Sequence, residues 1–190
     1  MTQDEAFHEI VRQALRIEKQ FDIPAEVTAA QVSLESNRLQ KADGNNCFGM
    51  KAVGRHKGRQ LWRTREWFAT IEAARAWAAK KPGREIIGPT GARLKYPDGI
   101  ERAEYLVRDW FAKFDTLDEA FDDYGWLITN AGVYRAAWQA YQQDGDWRKL
   151  LEGIAKKYAM AAWPRYVRGA LACLAEMQTV LDEMRKEQAR

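Results

Sequence analysis

Helical spacing of apolar residues governs both ends of this chain and breaks off in the middle, so the fold must join helices to a region of another kind. Residues 3–21 place Phe7, Ile10, Val11, Ala14, Leu15 and Phe21 on one helical face, which predicts an amphipathic first helix. Asp22 and Pro24 read as a stop followed by a start, because proline is tolerated in a first turn. A second helix is expected from about Pro24 to Ser36, with Val27, Ala30, Gln31 and Leu34 on one face. Asp43-Gly44-Asn45-Asn46 ends it in a turn.

The stretch from about 45 to 110 carries, counting Gly44 at its edge, eight of the thirteen glycines and three of the five prolines. Short strand-like segments lie at Arg59–Phe68, Ala92–Tyr96 and, after a Pro97-Asp98-Gly99 turn, Ile100–Arg108. Ala103, Tyr105 and Val107 alternate there with Arg102, Glu104 and Arg108, as in a half-exposed strand, with Leu106 out of step. Residues 71–81 look helical and stop at Pro82-Gly83, so about 69–96 reads as an insertion in the strand region. Helices resume with a capping-box pattern, Thr116 and Glu119, ahead of the stripe Leu117, Ala120, Phe121, Tyr124, Leu127 and Ile128. Shorter helices fit 132–143 and 146–158. A long last helix starts near Pro164 and shows Val167, Ala170, Leu171, Leu174, Met177, Leu181 and Met184 on one face. The fold class is therefore α+β, one domain over 1–190, with a mainly helical lobe, a small antiparallel β-lobe and a substrate cleft where the lobes meet.

Composition narrows the function. A net charge of +3 is too small a bias for a nucleic-acid face, though it tolerates an anionic polymer. His8 and His56 lack metal-ligand spacing and read as surface residues; no metal, phosphate-loop or serine-triad pattern occurs, and no cofactor is expected. Cys47 and Cys173 are expected as free thiols. No apolar run reaches the length of a membrane span, and Met1-Thr2-Gln3-Asp4-Glu5 lacks the marks of a secretory signal.

One carboxylate stands out by position. Glu35 closes an apolar helix directly after Leu34 and ahead of a loop rich in glycine and asparagine. Partial desolvation there disfavours the ionised form, which is what a general acid for glycosidic cleavage needs at neutral pH. Its surroundings carry a resemblance. Ala30-Gln31-Val32-Ser33-Leu34-Glu35-Ser36, followed by Asn45-Asn46-Cys47-Phe48-Gly49-Met50-Lys51-Ala52, resembles the signature of the bacterial endo-β-N-acetylglucosaminidases of glycoside hydrolase family 73. Thr64-Arg65-Glu66-Trp67, Trp110–Asp115, Tyr158-Ala159 and Pro164-Arg165-Tyr166 resemble later elements of that family, so the likeness runs over about 23–175.

The resemblance implies a lysozyme-like fold and hydrolysis of the β-1,4 bond between N-acetylglucosamine and N-acetylmuramic acid. It implies that Glu35 is the catalytic acid and that Glu66 is a second carboxylate which activates water or steadies the oxocarbenium-like centre. Glu104, in Arg102-Ala103-Glu104-Tyr105, is the rival for that element and otherwise a substrate-binding candidate, and the substrate's own 2-acetamido group could serve as nucleophile. Tyr158 is expected near the reactive sugar, and Asn46 and Phe48 as cleft residues, with Asn45 and Asn46 also shaping the turn. Two departures stand out. Met160-Ala161-Ala162-Trp163 replaces the family's shorter Thr-Asp element, and Asn37-Arg38 stands where the family usually has Gly-Trp. A lytic transglycosylase or muramidase of the same fold is the enzymatic alternative. A non-catalytic wall-binding module of a phage particle is the other. The expected partner is the peptidoglycan glycan strand, met by a monomer made in the cytoplasm without a signal peptide and acting on the wall as a phage lysin or exported effector.

Overall fold

The computed structural model describes residues 1–96, 98–159 and 162–190. Pro97 of the Pro97-Asp98-Gly99 turn, and Met160 and Ala161 after Tyr158-Ala159, lie outside the described residues. In chain order the elements are α1 (Gln3–Phe21), α2 (Ala25–Glu35), a 3-10 turn (Asp43–Asn45), β1 (Gly58–Phe68), α3 (Ile71–Ala79), β2 (Glu85–Lys95), β3 (Glu101–Lys113), α4 (Leu117–Asn130), α5 (Arg135–Asp144), α6 (Trp147–Tyr158) and α7 (Trp163–Gln188). The fold is α+β, mainly helical with a small antiparallel sheet, and it divides into two compact units, residues 1–49 with 114–190 and residues 50–113.

The helical unit is built around α2, which packs on α1, α6 and α7. Ala25, Val27, Thr28, Ala29, Ala30, Gln31, Val32 and Ser33 are all buried, so nearly the whole circumference of this helix is enclosed. Small side chains make that possible, since alanine and serine let neighbouring helices approach closely. α1 is amphipathic as its spacing predicts, and Thr2 and Glu5 form a reciprocal cap: the Glu5 N–H donates to Thr2 Oγ1 at 3.2 Å and the Thr2 N–H to Glu5 Oε2 at 2.7 Å. Thr116 caps α4 at Glu119 N, but the Glu119 carboxylate accepts from the Asp115 N–H instead, so only half of the expected capping box forms. Arg185 of α7 ties the bundle together, donating to Glu18 on α1 at 2.8 Å and to Glu26 on α2 at 2.5 Å.

In the sheet unit the strand order is β1-β3-β2, with both pairs antiparallel. Central β3 buries Val107 but half-buries every residue from 102 to 106, so burial there does not follow the alternation read from the sequence. β2 departs from the sequence reading, which takes 85–91 as insertion and starts a strand only at Ala92. The segment pairs with β3 from Glu85 onward, with register shifts between Ile86 and Gly88 and between Pro89 and Arg93. Those irregularities, set by Gly88, Pro89 and Gly91, erase the alternation by which a strand is recognised, and an edge position tolerates the proline. The region read as inserted thus supplies one strand of the sheet together with α3. Cys47 and Cys173 are buried free thiols. Among the described residues no helix is long and apolar enough to cross a membrane.

Candidate active site

Glu35 is the last residue of α2, and the chain beyond it turns in an unusual way. Asn37, Arg38 and Leu39 all adopt the left-handed conformation, with φ of 47°, 59° and 64°. Each costs about 1 kcal/mol for a residue with a Cβ, so the turn stands only because its surroundings hold it. Ser36, fully buried, does much of that. Its hydroxyl donates to the Val32 carbonyl at 2.6 Å and accepts the Leu39 N–H at 2.8 Å. The Lys41 N–H donates to the Ser36 carbonyl at 2.8 Å, Leu39 is buried at 7% exposure, and Arg38 makes a two-pronged pair with Glu176 of α7. The Asn-Arg pair that replaces the family's Gly-Trp therefore sits at a position where glycine would be unstrained and asparagine is tolerated.

Around the half-buried Glu35 carboxyl stand three tyrosines, Tyr134, Tyr158 and Tyr166. Burial pushes the Glu35 carboxyl above the usual carboxylate range, while a hydrogen bond from Tyr166 pulls it partly back. The same burial, with the negative charge of Glu35 beside them, raises the Tyr158 and Tyr166 hydroxyls, so both keep their protons at neutral pH. The Tyr158 and Tyr166 rings lie 5.6 Å apart.

The hydroxyls are oriented from beneath. Tyr124 O–H donates to Gln31 Oε1 at 2.6 Å, and Gln31 Nε2 donates to the Tyr166 oxygen at 3.2 Å. Gln31 lies one helical turn before Glu35, so a single helix carries both the raised carboxyl and the amide that fixes its neighbour. With its oxygen accepting from Gln31, the Tyr166 proton is free to be directed at Glu35. Tyr158 O–H donates to the Phe48 carbonyl at 2.5 Å. Gly49 follows with a φ of +62°, in the left-handed region that favours glycine, and lies beside the Tyr158 oxygen. Phe48 itself is 2% exposed, stacked on Tyr124 at 4.1 Å and edge-on to Phe121 at 5.0 Å, so its ring is used in packing and its carbonyl in holding Tyr158. Asn46 is likewise buried. Asn45 shapes the turn, with φ of 56° and its amide donating to the Phe114 and Asp115 carbonyls at 3.0 Å each.

The other two candidates belong to the sheet unit. Glu66 is paired with Tyr105 across β1 and β3, and Glu104 with Trp67. Because side chains alternate along a strand, the two carboxylates occupy opposite faces of the sheet, and a single site on one face can use only one. Glu66, partly exposed, accepts from Lys51 Nζ at 2.5 Å; the same ammonium donates to Asp109 at 2.6 Å, and Arg84 donates to Asp109 at 2.7 Å. Burial opposes ionisation of Asp109, but the hydrogen bonds from Lys51 and Arg84 outweigh it and hold the carboxyl below its usual range. Glu104 is more enclosed, bonded by the Thr90 hydroxyl at 2.6 Å. Gln31, Tyr134 and Tyr166 are the members of the helical-unit cluster that sequence reasoning gave no role, although Gln31 and Tyr166 stand inside the quoted motifs.

Comparison with solved structures gives the same fold. The catalytic domain of the autolysin Auto from Listeria monocytogenes matches with a TM-score of 0.59 and 17% identity, over 93% of this chain and 84% of that one. An N-acetylmuramoyl-L-alanine amidase from Staphylococcus aureus gives 0.60 and 19%, over 92% of this chain and 43% of that one. The C-terminally truncated glycoside hydrolase domain of FlgJ from Salmonella typhimurium gives 0.57 and 18%, over 94% and 99%. Among curated proteins none matches this sequence. The glucosaminidase profile, described as mannosyl-glycoprotein endo-beta-N-acetylglucosaminidase, matches residues 11–177, a span that takes in Glu35, both sheet carboxylates and the whole tyrosine cluster. On that match this chain belongs to the glucosaminidase family of glycoside hydrolases, family 73.

Proposed function

We propose that this enzyme hydrolyses the β-1,4 bond between N-acetylglucosamine and N-acetylmuramic acid in peptidoglycan, with Glu35 as its general acid. The observation that carries the reading is the half-buried Glu35 carboxyl, raised by desolvation and ringed by protonated tyrosines. A neutral carboxyl so placed can deliver its proton to the departing glycosidic oxygen as the C1–O bond breaks and positive charge builds on the ring. The resulting carboxylate is then stabilised by the hydroxyl of Tyr166, whose proton faces it. Tyr158, its proton used on the Phe48 carbonyl, adds to the shielding of the carboxyl from water. Glu66 is the proposed second carboxylate, since it is the more accessible of the sheet pair and its Lys51 partner lies in the same motif as Asn46 and Phe48. Water or the substrate's acetamido group supplies the nucleophile. Residues 1–190 act in this reading as one glucosaminidase domain, and its place of action is the cell wall. The autolysin and glycoside hydrolase descriptions of the similar structures support that choice of polymer.

Product analysis on purified sacculi tests it. Reducing-end N-acetylglucosamine is expected from the wild type and none from Glu35→Gln, whose melting temperature at neutral pH should not fall. A 1,6-anhydro-muramic end would identify a transglycosylase instead, and binding without turnover a wall-holding module. Turnover retained in Glu35→Gln removes the acid assignment.

A further inference from the structure

The sheet unit holds a concavity of about 530 Å3 that the chemistry proposed at Glu35 does not use. Lys57, Arg59 and Lys81 line it with His56, Pro82 and Trp110, and no carboxylate lines it. The sequence prepares this: between Cys47 and Arg65 there is no acidic residue, while Lys51, Arg55, Lys57, Arg59, Arg63 and Arg65 are all basic. Several other cations of the unit are matched, Arg84 with Asp109, Arg93 with Glu101, Arg102 with Asp98 and Arg108 with Glu85. Among the described residues, Lys57, Arg59 and Lys81 have no acidic partner. Arg59 is nonetheless fixed, its guanidinium 4.7 Å above the Trp110 ring. The Trp110 ring is itself set in place, its indole N–H donating to the Pro82 carbonyl at 2.7 Å. Lys81 is held by its bond to the Ala52 carbonyl at 3.0 Å, which occupies one of its three protons and leaves two to donate.

We propose that this concavity is a binding subsite for a carboxylate of the peptide stems that peptidoglycan carries on its muramic acid units. It deepens the proposed function and rests on that choice of polymer. The glycan strand itself is uncharged once its lactyl carboxyl is in amide linkage, so a cluster of unmatched cations finds its counter-charge on the stems. Arg59 presents a planar fork suited to a carboxylate, and Ala52, Val53, Pro82 and Trp110 offer an apolar wall for the short aliphatic side chains beside it. A phosphodiester of an accessory wall polymer would meet the cations but leave that apolar wall without a partner.

The test compares wild type with Lys57→Glu/Arg59→Glu, both on the exposed rim and outside the proposed catalytic cluster. Binding and turnover are measured on intact sacculi, on sacculi stripped of accessory phosphate polymers, and on glycan chains freed of peptide by an amidase. The double variant should bind peptide-bearing sacculi about tenfold more weakly, in a salt-dependent way, with or without the phosphate polymers. It should cut peptide-free chains as the wild type does. Equal loss on peptide-free chains, no loss on any substrate, or loss only while the phosphate polymers are present would each overturn the assignment. Titration of the free stem peptide into the wild type, followed at the Trp110 indole N–H, separates the two readings. Saturable binding of that peptide by a protein that cuts no wall keeps the subsite and removes the hydrolase, whereas a hydrolase that ignores the peptide loses the subsite alone.

Discussion

Gln31 can be replaced by methionine, which has nearly its shape and none of its hydrogen bonds, and the structure sets the cost. The native amide accepts from Tyr124 at 2.6 Å and donates to Tyr166 at 3.2 Å, with Gln31 2% exposed and Tyr124 3% exposed. Two bonds are lost, each with a net worth of about 1 kcal/mol, and the Tyr124 hydroxyl is left buried without its acceptor at a further ~1–3 kcal/mol. Gln31→Met should therefore lose roughly 3–5 kcal/mol of unfolding free energy. Tyr124→Phe alone strands the amide oxygen and should cost ~1–3 kcal/mol. The double variant removes both partners together and should cost only ~1–2 kcal/mol, well below the sum of the singles. Urea unfolding at neutral pH reads this out from the midpoints, with the slope m checked for constancy. If the two single losses add to within ~0.5 kcal/mol in the double variant, the bond between Tyr124 and Gln31 does not hold the cluster and the reasoning fails.

Three further outcomes follow from the same geometry. Tyr166→Phe removes a hydrogen bond that favours the Glu35 carboxylate, so the alkaline limb of the pH–rate profile, set by loss of the acid's proton, should move to higher pH; a downward move would contradict it. Ser36→Ala takes away the acceptor of the Leu39 N–H and the anchor on Val32, and should cost about 1–2 kcal/mol of stability in thermal or urea melts. Asp109→Asn leaves Lys51 and Arg84 without their shared buried counter-charge and should cost about 2 kcal/mol at pH 7. Because the folded pKa of Asp109 is depressed, that contribution is complete above the unfolded carboxylate value and disappears as pH falls through the folded one. The wild-type advantage over Asp109→Asn should accordingly shrink on acidification, and an advantage independent of pH would refute the pairing.

How much of this was legible depended on whether the determining contact is local. α1, α2, α4 and α7 are written in their apolar spacing, and the position of Glu35 at the end of α2 follows from the helix boundary. The turn at Asn45 was legible from the run Asp43-Gly44-Asn45-Asn46, but the bonds of its amide were not, since they reach carbonyls 69 and 70 positions away. The Tyr124–Gln31–Tyr166 chain was not, because its links join residues 93 and 135 positions apart and leave no periodic trace. A glutamine among alanines and valines on a wholly buried helix was the available sign that some polar partner had to be waiting. The left-handed turn at Asn37, Arg38 and Leu39 was visible only as a departure from the family's Gly-Trp, because strain appears in φ and not in composition. β2 was obscured by its own bulges, which mimic loop chemistry residue by residue.

The enclosure of α2 on nearly every side has a consequence for how activity is acquired and lost. A helix with so little solvent-facing surface has no reason to persist before its neighbours arrive, so the shielding of the Glu35 carboxyl is a property of the completed bundle and not of any fragment. Nascent or partly unravelled chains would carry Glu35 as an ordinary ionised glutamate, unfit for the role proposed for it, and that fitness would come and go in a single cooperative step with the fold.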